Sequence, residues 1–208
     1  MTRLKRESAV AALLAATLLA GCSGGGGGAS YDRYDQRYSG MMGAHDLQTF
    51  TDPATLPNSG GGQYSGVARM SAENQDIMGR MRLDFRFGSS GDPVSGSIDQ
   101  FRNMENTALG GRFTISDGRI LRDVNPYYYD TYSAQLTGSI MLPENTAADV
   151  TDAAAPGAPQ AEYVLSNGYL RGNFLGHGDA VAGDIRGSLY AEGPGNSATL
   201  DGNYIAER

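Results

Sequence analysis

Strict alternation of apolar and polar side chains between Arg80 and Phe87 is the clearest structural signal in the chain. The segment reads RMRLDFRF, so one face carries methionine, leucine and phenylalanine and the other carries arginine and aspartate. Successive side chains of a β-strand point to opposite faces of its sheet. The pattern therefore predicts a strand with one buried side and one side in water.

The same period of two recurs often enough to predict eight strands. One is expected at 64–70 and one at 80–87. The other six are expected around these apolar positions: Val94 and Ile98; Phe113 and Ile115; Leu136, Ile140 and Leu142; Leu170 and Phe174; Val181, Ile185 and Leu189; Leu200 and Tyr204. Glycines lie inside many of these segments, and glycine permits the sharp bending and close packing of a small closed sheet. We therefore expect an all-β fold in which residues 63–208 form a single eight-stranded antiparallel β-barrel.

The polar face of the predicted strands decides which way such a barrel faces. A transmembrane barrel turns its apolar residues outward into lipid. In this chain the polar face of 80–87 would then place three arginines in the bilayer, at about 2 to 4 kcal/mol each near the midplane. We expect a water-soluble barrel with an apolar interior.

Residues 1–21 are predicted to be a lipoprotein signal peptide. Basic residues precede an apolar run at 9–20, which has the order of a secretory signal and is shorter than the roughly 20 residues that a membrane-spanning helix needs. Leu19-Ala20-Gly21-Cys22 resembles the lipobox of bacterial lipoproteins, which implies cleavage before Cys22 and lipidation of that cysteine. Ser23 follows where inner-membrane retention typically uses aspartate, so we expect anchoring in the outer membrane. The alternative is an ordinary secreted protein with a stray cysteine.

Residues 22–62 are predicted to be a lipidated, glycine-rich, flexible tether. They include a run of five glycines at 24–28, and their apolar residues are scattered. Such a composition buries too little apolar surface to fold by itself. Tyr31, Tyr34 and Tyr38 recur at helical spacing, which leaves two alternatives: a short helix that docks on the barrel, or adhesive tyrosines in a disordered arm.

Charge excludes several kinds of function. The formal net charge is -7, and removal of residues 1–21 changes it to about -9 and removes the only lysine. Schiff-base chemistry and a P-loop lysine are then excluded, and an acidic chain without a basic cluster is not expected to bind nucleic acid. His45 and His177 lack metal-ligand spacing, and no G-x-S-x-G elbow is present. We expect a monomer that is not an enzyme and has no cofactor or metal site.

The candidate partner-binding residues are Tyr127, Tyr128, Tyr129 and Tyr132, on a loop between two predicted strands. Tyrosine has a rigid apolar body and a polar tip, which suits binding surfaces. Three alternatives remain open for the cluster: it closes one end of the barrel, it contacts a partner, or it ligates haem or iron through a phenolate.

Three stretches of the domain resemble the barrel domain of transferrin-binding protein B and its relatives. They are Leu83-Asp84-Phe85 followed by Val94-Ser95-Gly96-Ser97-Ile98, then Ser116-Asp117-Gly118, and above all GNFLGHGDAVAGDI at 172–185. In the last stretch Gly172, Phe174, Gly176, Ala180 and Gly183 match the pattern of the family. The chain has one predicted barrel, whereas the transferrin receptors of that family have two lobes, so transferrin itself is not the expected ligand.

This resemblance implies a lipoprotein of the outer membrane, exposed at the cell surface, whose barrel binds a host or environmental ligand. The leading hypothesis is that the barrel loops contact a protein, haem or an iron source. One alternative is a lipocalin-like carrier with a small apolar ligand inside the barrel, since an eight-stranded barrel can hold one. The other is a structural protein of the envelope without a specific ligand.

Overall fold

The structure, a computed structural model, describes six ranges of the chain. These ranges are 29–46, 48–72, 75–88, 91–143, 159–192 and 197–208. The predicted signal peptide and Cys22 lie outside them.

Eight antiparallel strands form a closed barrel, as the alternation predicts. They are β1 (Gly60–Ala72), β2 (Gln75–Phe87), β3 (Val94–Asn103), β4 (Ala108–Ile120), β5 (Tyr132–Pro143), β6 (Gln160–Leu175), β7 (Ala180–Tyr190) and β8 (Ser197–Glu207). Each strand pairs with its neighbours in sequence, and β1 pairs with β8 to close the sheet. The barrel begins at Gly60, three residues before the predicted boundary.

The two ends of the barrel follow from this up-and-down order. β1, β3, β5 and β7 run from the upper end to the lower end, and the other four strands run back. The connections at 121–131 and 176–179 lie at the upper end, and the one at 104–107 lies at the lower end.

Aromatic rings fill the upper half of the interior. The ring of Phe85 lies 4.7 Å from that of Phe174 and 4.9 Å from that of Tyr132, and Tyr64 packs edge-on against Phe85 at 5.2 Å. All four side chains are almost completely buried. The inward positions are apolar, as the alternation predicts, and the space between the strands is occupied by the protein's own side chains.

A helix, α1 (Tyr31–His45), lies on the outside of the barrel. The Ser30 side chain caps it by accepting a hydrogen bond from the Arg33 backbone N–H. Tyr31, Tyr34 and Tyr38 fall on one buried face of the helix, because residues three and four apart lie on the same side of an α-helix. This corrects the prediction of a flexible tether over 22–62: residues 31–45 are a docked helix, which was one of the two alternatives for these tyrosines.

The reason for the difference is an apolar patch on the outer wall. Val67, Met78 and Ile205 point outward from β1, β2 and β8, and all three are completely buried beneath α1. Val67 and Ile205 are direct partners across the β1–β8 pairing that closes the barrel. Covering such apolar surface stabilises the helix more than its own propensity does.

Helix α1 runs from the lower end to the upper end. The Tyr31 backbone N–H donates to Asn106 Oδ1 at 3.0 Å in the lower turn between β3 and β4. At the other end of the helix, His45 Nε2 lies 2.9 Å from Glu207 Oε1 at the end of β8. Within the described ranges, no helix is long and apolar enough to cross a membrane.

Residues 48–59, which we call the strap, then continue across the upper end. The Thr51 backbone N–H donates to the Phe174 carbonyl at 2.8 Å, and Phe50 forms an isolated bridge with Leu175. Leu56 is buried in the barrel core. The Arg122 guanidinium donates to the Leu56 carbonyl at 2.8 Å and so ties the strap to the loop between β4 and β5. The predicted flexible tether is thus ordered here too, because the strap covers the mouth of the barrel.

Candidate functional site

The candidate tyrosines divide into an exposed group and a buried residue. Tyr127, Tyr128 and Tyr129 lie at the tip of the β4–β5 connection and are 64%, 79% and 65% exposed. Tyr132 begins β5 and is completely buried. The structure therefore brings the first three together on the surface and separates Tyr132 from them.

Asn125 orders the exposed tyrosines. Its backbone carbonyl accepts hydrogen bonds from the N–H groups of Tyr128 and Tyr129, both at 3.0 Å, and its side-chain oxygen accepts one from the N–H of Tyr127 at 3.0 Å. Such local side-chain bonds are the reason that asparagine favours turns. The Tyr127 ring also packs edge-on against Phe50 of the strap at 5.4 Å. The three side chains thus project from an ordered loop.

Tyr132 has a different environment. The Tyr204 hydroxyl donates to the Tyr132 hydroxyl at 2.7 Å, and both rings are buried. Burial raises the pKa of Tyr132 far above its ordinary value of 10.0, and burial likewise raises the pKa of Tyr204. A phenolate ligand for iron must lose its proton, which the surroundings of Tyr132 oppose. Tyr132 therefore fills the upper interior and is unsuited to phenolate ligation.

A groove of about 580 Å³ lies beside the exposed tyrosines, and we call it the wall groove. Tyr129 lines it from the loop and Tyr169 from the outer face of β6. The charged and polar residues that line it are Asp117, Arg119, Asp130, Ser133, Gln135 and Arg171.

Ion pairs and a hydrogen bond connect three of the groove's charged side chains, Arg119, Asp130 and Arg171, to neighbouring groups. Arg171 lies between two carboxylates, with Nε 3.4 Å from Asp130 Oδ2 and Nη2 3.5 Å from Asp184 Oδ2. Arg119 Nε donates to Ser133 Oγ at 2.9 Å. The groove therefore combines fixed cations and anions with two aromatic faces.

Two bulges shape the same region. The pairing register shifts on β4 between Ser116 and Arg119, and on β6 between Ser166 and Tyr169. Asp117 and Asn167 lie in these bulges with φ angles of 51° and 52°, in the left-handed region that is uncommon for residues with a side chain. Bulges occur often near binding sites because they redirect side chains.

The β4 bulge is braced from a neighbouring connection. The Asp92 carboxylate accepts the backbone N–H of Asp117 at 3.0 Å and that of Gly118 at 2.7 Å. Hydrogen bonds of N–H groups to a carboxylate are about twice as strong as those between neutral groups. The conformation at Asp117 is therefore supported by its surroundings.

The two histidines lie apart from the wall groove. His45 pairs with Glu207, and His177 lies in the turn between β6 and β7. Among the residues that the structure describes, no three His, Cys, Asp or Glu side chains form a group that could hold a metal ion.

Sequence reasoning missed Arg119, Arg171 and Tyr169. The available signal was an aromatic residue, Tyr169, on the wet face of a predicted strand. Their convergence depends on the register of β4, β5 and β6 and on two bulges, which residue spacing does not reveal.

Comparisons of the chain with protein-family models, with curated proteins and with solved structures found no match. The resemblance to transferrin-binding protein B therefore stays a prediction from the motifs, and the function must be argued from the surface itself.

Proposed function

We propose that the protein is a lipid-anchored binding protein of the bacterial outer membrane, whose upper end contacts a protein partner. The observation that carries this proposal is the cluster of Tyr127, Tyr128 and Tyr129, each more than 60% exposed on one ordered loop. Tyrosine is enriched at protein interfaces because it buries a large area at a low cost in side-chain entropy. Adjacent exposed rings of this kind contribute nothing to the barrel core.

The path of the N-terminal segment supports this use of the upper end. Helix α1 begins at the lower end, beside Asn106. Only six residues lie between Ala29 and Cys22, which carries the predicted lipid, and the seven steps from one to the other reach at most about 25 Å. Since α1 begins at the lower end, the proposal places the anchor on that side and the exposed tyrosines on the side away from the membrane.

The aromatic interior supports a loop-mediated function over a carrier function. Phe85, Phe174 and Tyr132 pack against one another where a carrier of this size would hold its ligand. Eight-stranded barrels are narrow enough to be filled by side chains.

The first test replaces all three exposed tyrosines by serine in the full-length protein. Lipidated protein purified in detergent is immobilised, a partner is captured from host fluid or culture medium and identified, and its affinity is then measured with purified components. We expect the triple variant to lose at least tenfold in affinity, or about 1.4 kcal/mol, with little change in melting temperature, because the three rings pack little against the core.

Tyr190→Ser is the matched control, since Tyr190 is 50% exposed at the lower end of β7 and should leave binding unchanged. Equal affinity of the triple variant and the original protein, or no partner retained above a blank matrix, contradicts the proposal.

The second test concerns the anchor. Mass spectrometry of the mature protein is expected to find acyl chains on Cys22, and Cys22→Ser is expected to move the protein from the membrane fraction to the aqueous fraction. Two or more acyl chains hold a protein stably, whereas one gives marginal binding. Membrane retention of Cys22→Ser after a high-salt wash contradicts lipid anchoring.

A further inference from the structure

We propose that the wall groove binds a neutral saccharide. This site lies beside the exposed tyrosine cluster and is distinct from the protein contact proposed for it, with Tyr129 as the residue they share. Its volume of about 580 Å³ lies within the usual range of small-ligand sites.

Register places the polar side chains of the groove in rows across three strands. Arg119 of β4 is the partner of Ser133 of β5, and Ser133 is the partner of Arg171 of β6. Neighbouring strands lie about 4.8 Å apart, so the two arginines originate about 10 Å apart. This separation is similar to the length of two consecutive sugar rings in a saccharide chain.

A second row lies one step further along the strands. Gln135 of β5 is the direct partner of Tyr169 of β6, and Tyr129 lines the same groove from the loop above. Tyr129 is 65% exposed and Tyr169 is 38% exposed. A sugar ring has one or two faces made of C–H groups, and these pack well on an aromatic face whose hydroxyl tip stays in water.

The charges of the groove favour a neutral ligand. Two arginines and two aspartates line it, and Arg171 is already paired with Asp130 at 3.4 Å. Local charges of both signs in equal number give no net attraction for an anion or a cation. Guanidinium, carboxylate and amide groups are planar and present two hydrogen-bonding atoms side by side, which fits pairs of adjacent hydroxyls.

The bulges explain why this stretch of wall is concave. They flank β5 on both sides, at Asp117 of β4 and Asn167 of β6. An extra residue bends its strand and increases the local twist. The groove is therefore shaped by the backbone, and the Asp92 carboxylate fixes one of the two bends.

The experiment titrates the lipidated full-length protein with maltohexaose, cellohexaose and chitohexaose by calorimetry, in a detergent without a sugar headgroup. We expect at least one of the three to bind. Tyr169→Ala and Arg119→Ala are each expected to weaken that binding tenfold or more, whereas Tyr190→Ala, a matched exposed tyrosine of β7, leaves it unchanged. Hexagalacturonate is the anionic comparison and is expected to bind more weakly.

Several outcomes overturn the inference. They are no binding of any neutral hexasaccharide up to about 1 mM, binding that Tyr169→Ala does not weaken, or tighter binding of hexagalacturonate. Loss of the captured protein partner in Tyr169→Ala and Arg119→Ala without any sugar binding also overturns it, and assigns the wall groove to the protein contact instead. Failure of the tyrosine triple variant to affect the protein partner bears on the proposed function alone.

Discussion

Two tyrosine hydroxyls hydrogen-bond to each other inside a largely apolar barrel. Tyr204 donates to Tyr132, and it also lies 3.3 Å from the Arg171 carbonyl. Gly172 makes room for this pair, because a Cβ atom there would lie 2.7 Å from the Tyr204 hydroxyl and 2.9 Å from the Tyr132 hydroxyl. A buried hydroxyl without a partner costs free energy, whereas this pair satisfies its hydrogen bonding internally.

We expect this pair to make the protein lose stability in alkali. Burial raises the pKa of both Tyr132 and Tyr204 above 10.0, so the folded protein keeps two protons that the unfolded chain releases. The stability is fully present below about pH 10 and falls above it, by about 1.4 kcal/mol per pH unit for each tyrosine that ionises only when unfolded. Urea midpoints measured between about pH 8 and pH 11 check this dependence.

The double variant Tyr132→Phe and Tyr204→Phe removes the two protons and is expected to make the alkaline loss of stability less steep; the part that remains comes from other tyrosines whose pKa burial also raises, such as Tyr64. Tyr127→Phe with Tyr128→Phe is the matched control, because these two rings are exposed, and it should keep the original slope. Identical slopes for the two double variants would falsify the role assigned to the buried pair.

Glycine positions give a paired prediction of opposite sign. Gly40 lies inside α1, and a Cβ atom there meets no heavy atom within 4 Å. Gly40→Ala is expected to stabilise the protein by roughly 0.5–1 kcal/mol, since glycine lowers helix stability by that amount. Gly172→Ala is expected to destabilise it by about 1–3 kcal/mol, because the added methyl overlaps the Ala182 carbonyl and the tyrosine pair.

Urea midpoints measure both changes, and hydrogen exchange of the α1 amides tests the first one directly. Slower exchange in Gly40→Ala is the expected result. If Gly172→Ala proves as stable as the original protein, the close approach of β6 to the tyrosine pair is not the reason that position 172 carries a glycine.

At the scale of elements, alternation was sufficient to predict the eight strands and their inward faces. It was not sufficient for α1. Val67, Met78 and Ile205 are apolar residues on the wet faces of their strands, which is a readable signal, yet they form one patch only because β1, β2 and β8 are neighbours in the closed barrel. The helix could be proposed from the spacing of the tyrosines. Its docking site could not, because that site forms only when β1 pairs with β8 and closes the barrel.

Less of the candidate site than of the fold could be predicted from the sequence. The sequence placed Tyr127, Tyr128 and Tyr129 on a loop between two strands and left open whether they close the barrel or contact a partner, and the structure shows all three exposed. Tyr132 is only three positions beyond Tyr129, but it already belongs to β5 and points inward. The wall groove depends on bulges that shift register by single residues. Asp117-Gly118 and Asn167-Gly168 mark departures from regular backbone, but they do not show that the two bulges flank the same strand.

At the scale of the whole molecule, the course of α1 and the strap predicts how the barrel stands on a membrane. The helix spans about 22 Å, from Tyr31 beside Asn106 at the lower end to His45 beside Glu207 at the upper end. Cys22 is the only cysteine, so once it is acylated a single introduced cysteine is the only free thiol. Asp123→Cys labels the upper end and Glu105→Cys the lower end, and both replace an exposed acidic residue.

Each thiol is labelled with a fluorophore, and the protein is bound to vesicles that carry a headgroup quencher. We expect stronger quenching at position 105 than at position 123, because the proposed anchor lies nearer the lower end. Fluorescence of the two labelled proteins in quencher-free vesicles is the reference. Equal quenching, or stronger quenching at position 123, contradicts the proposed orientation.

The pairing of β1 with β8 makes closure of the barrel depend on both ends of the sequence. Ser65 to Ser71 find their partners among residues 201–207, at the opposite end of the sequence, and such distant pairings form slowly. The Val67–Ile205 pair, and with it the complete platform for α1, exists only when these two strands are paired. If the protein is exported, the chain can pass through a secretion channel unfolded for as long as β8 is not available to pair with β1. Ring closure after translocation would then lock the helix, the strap and the exposed tyrosine loop into place together.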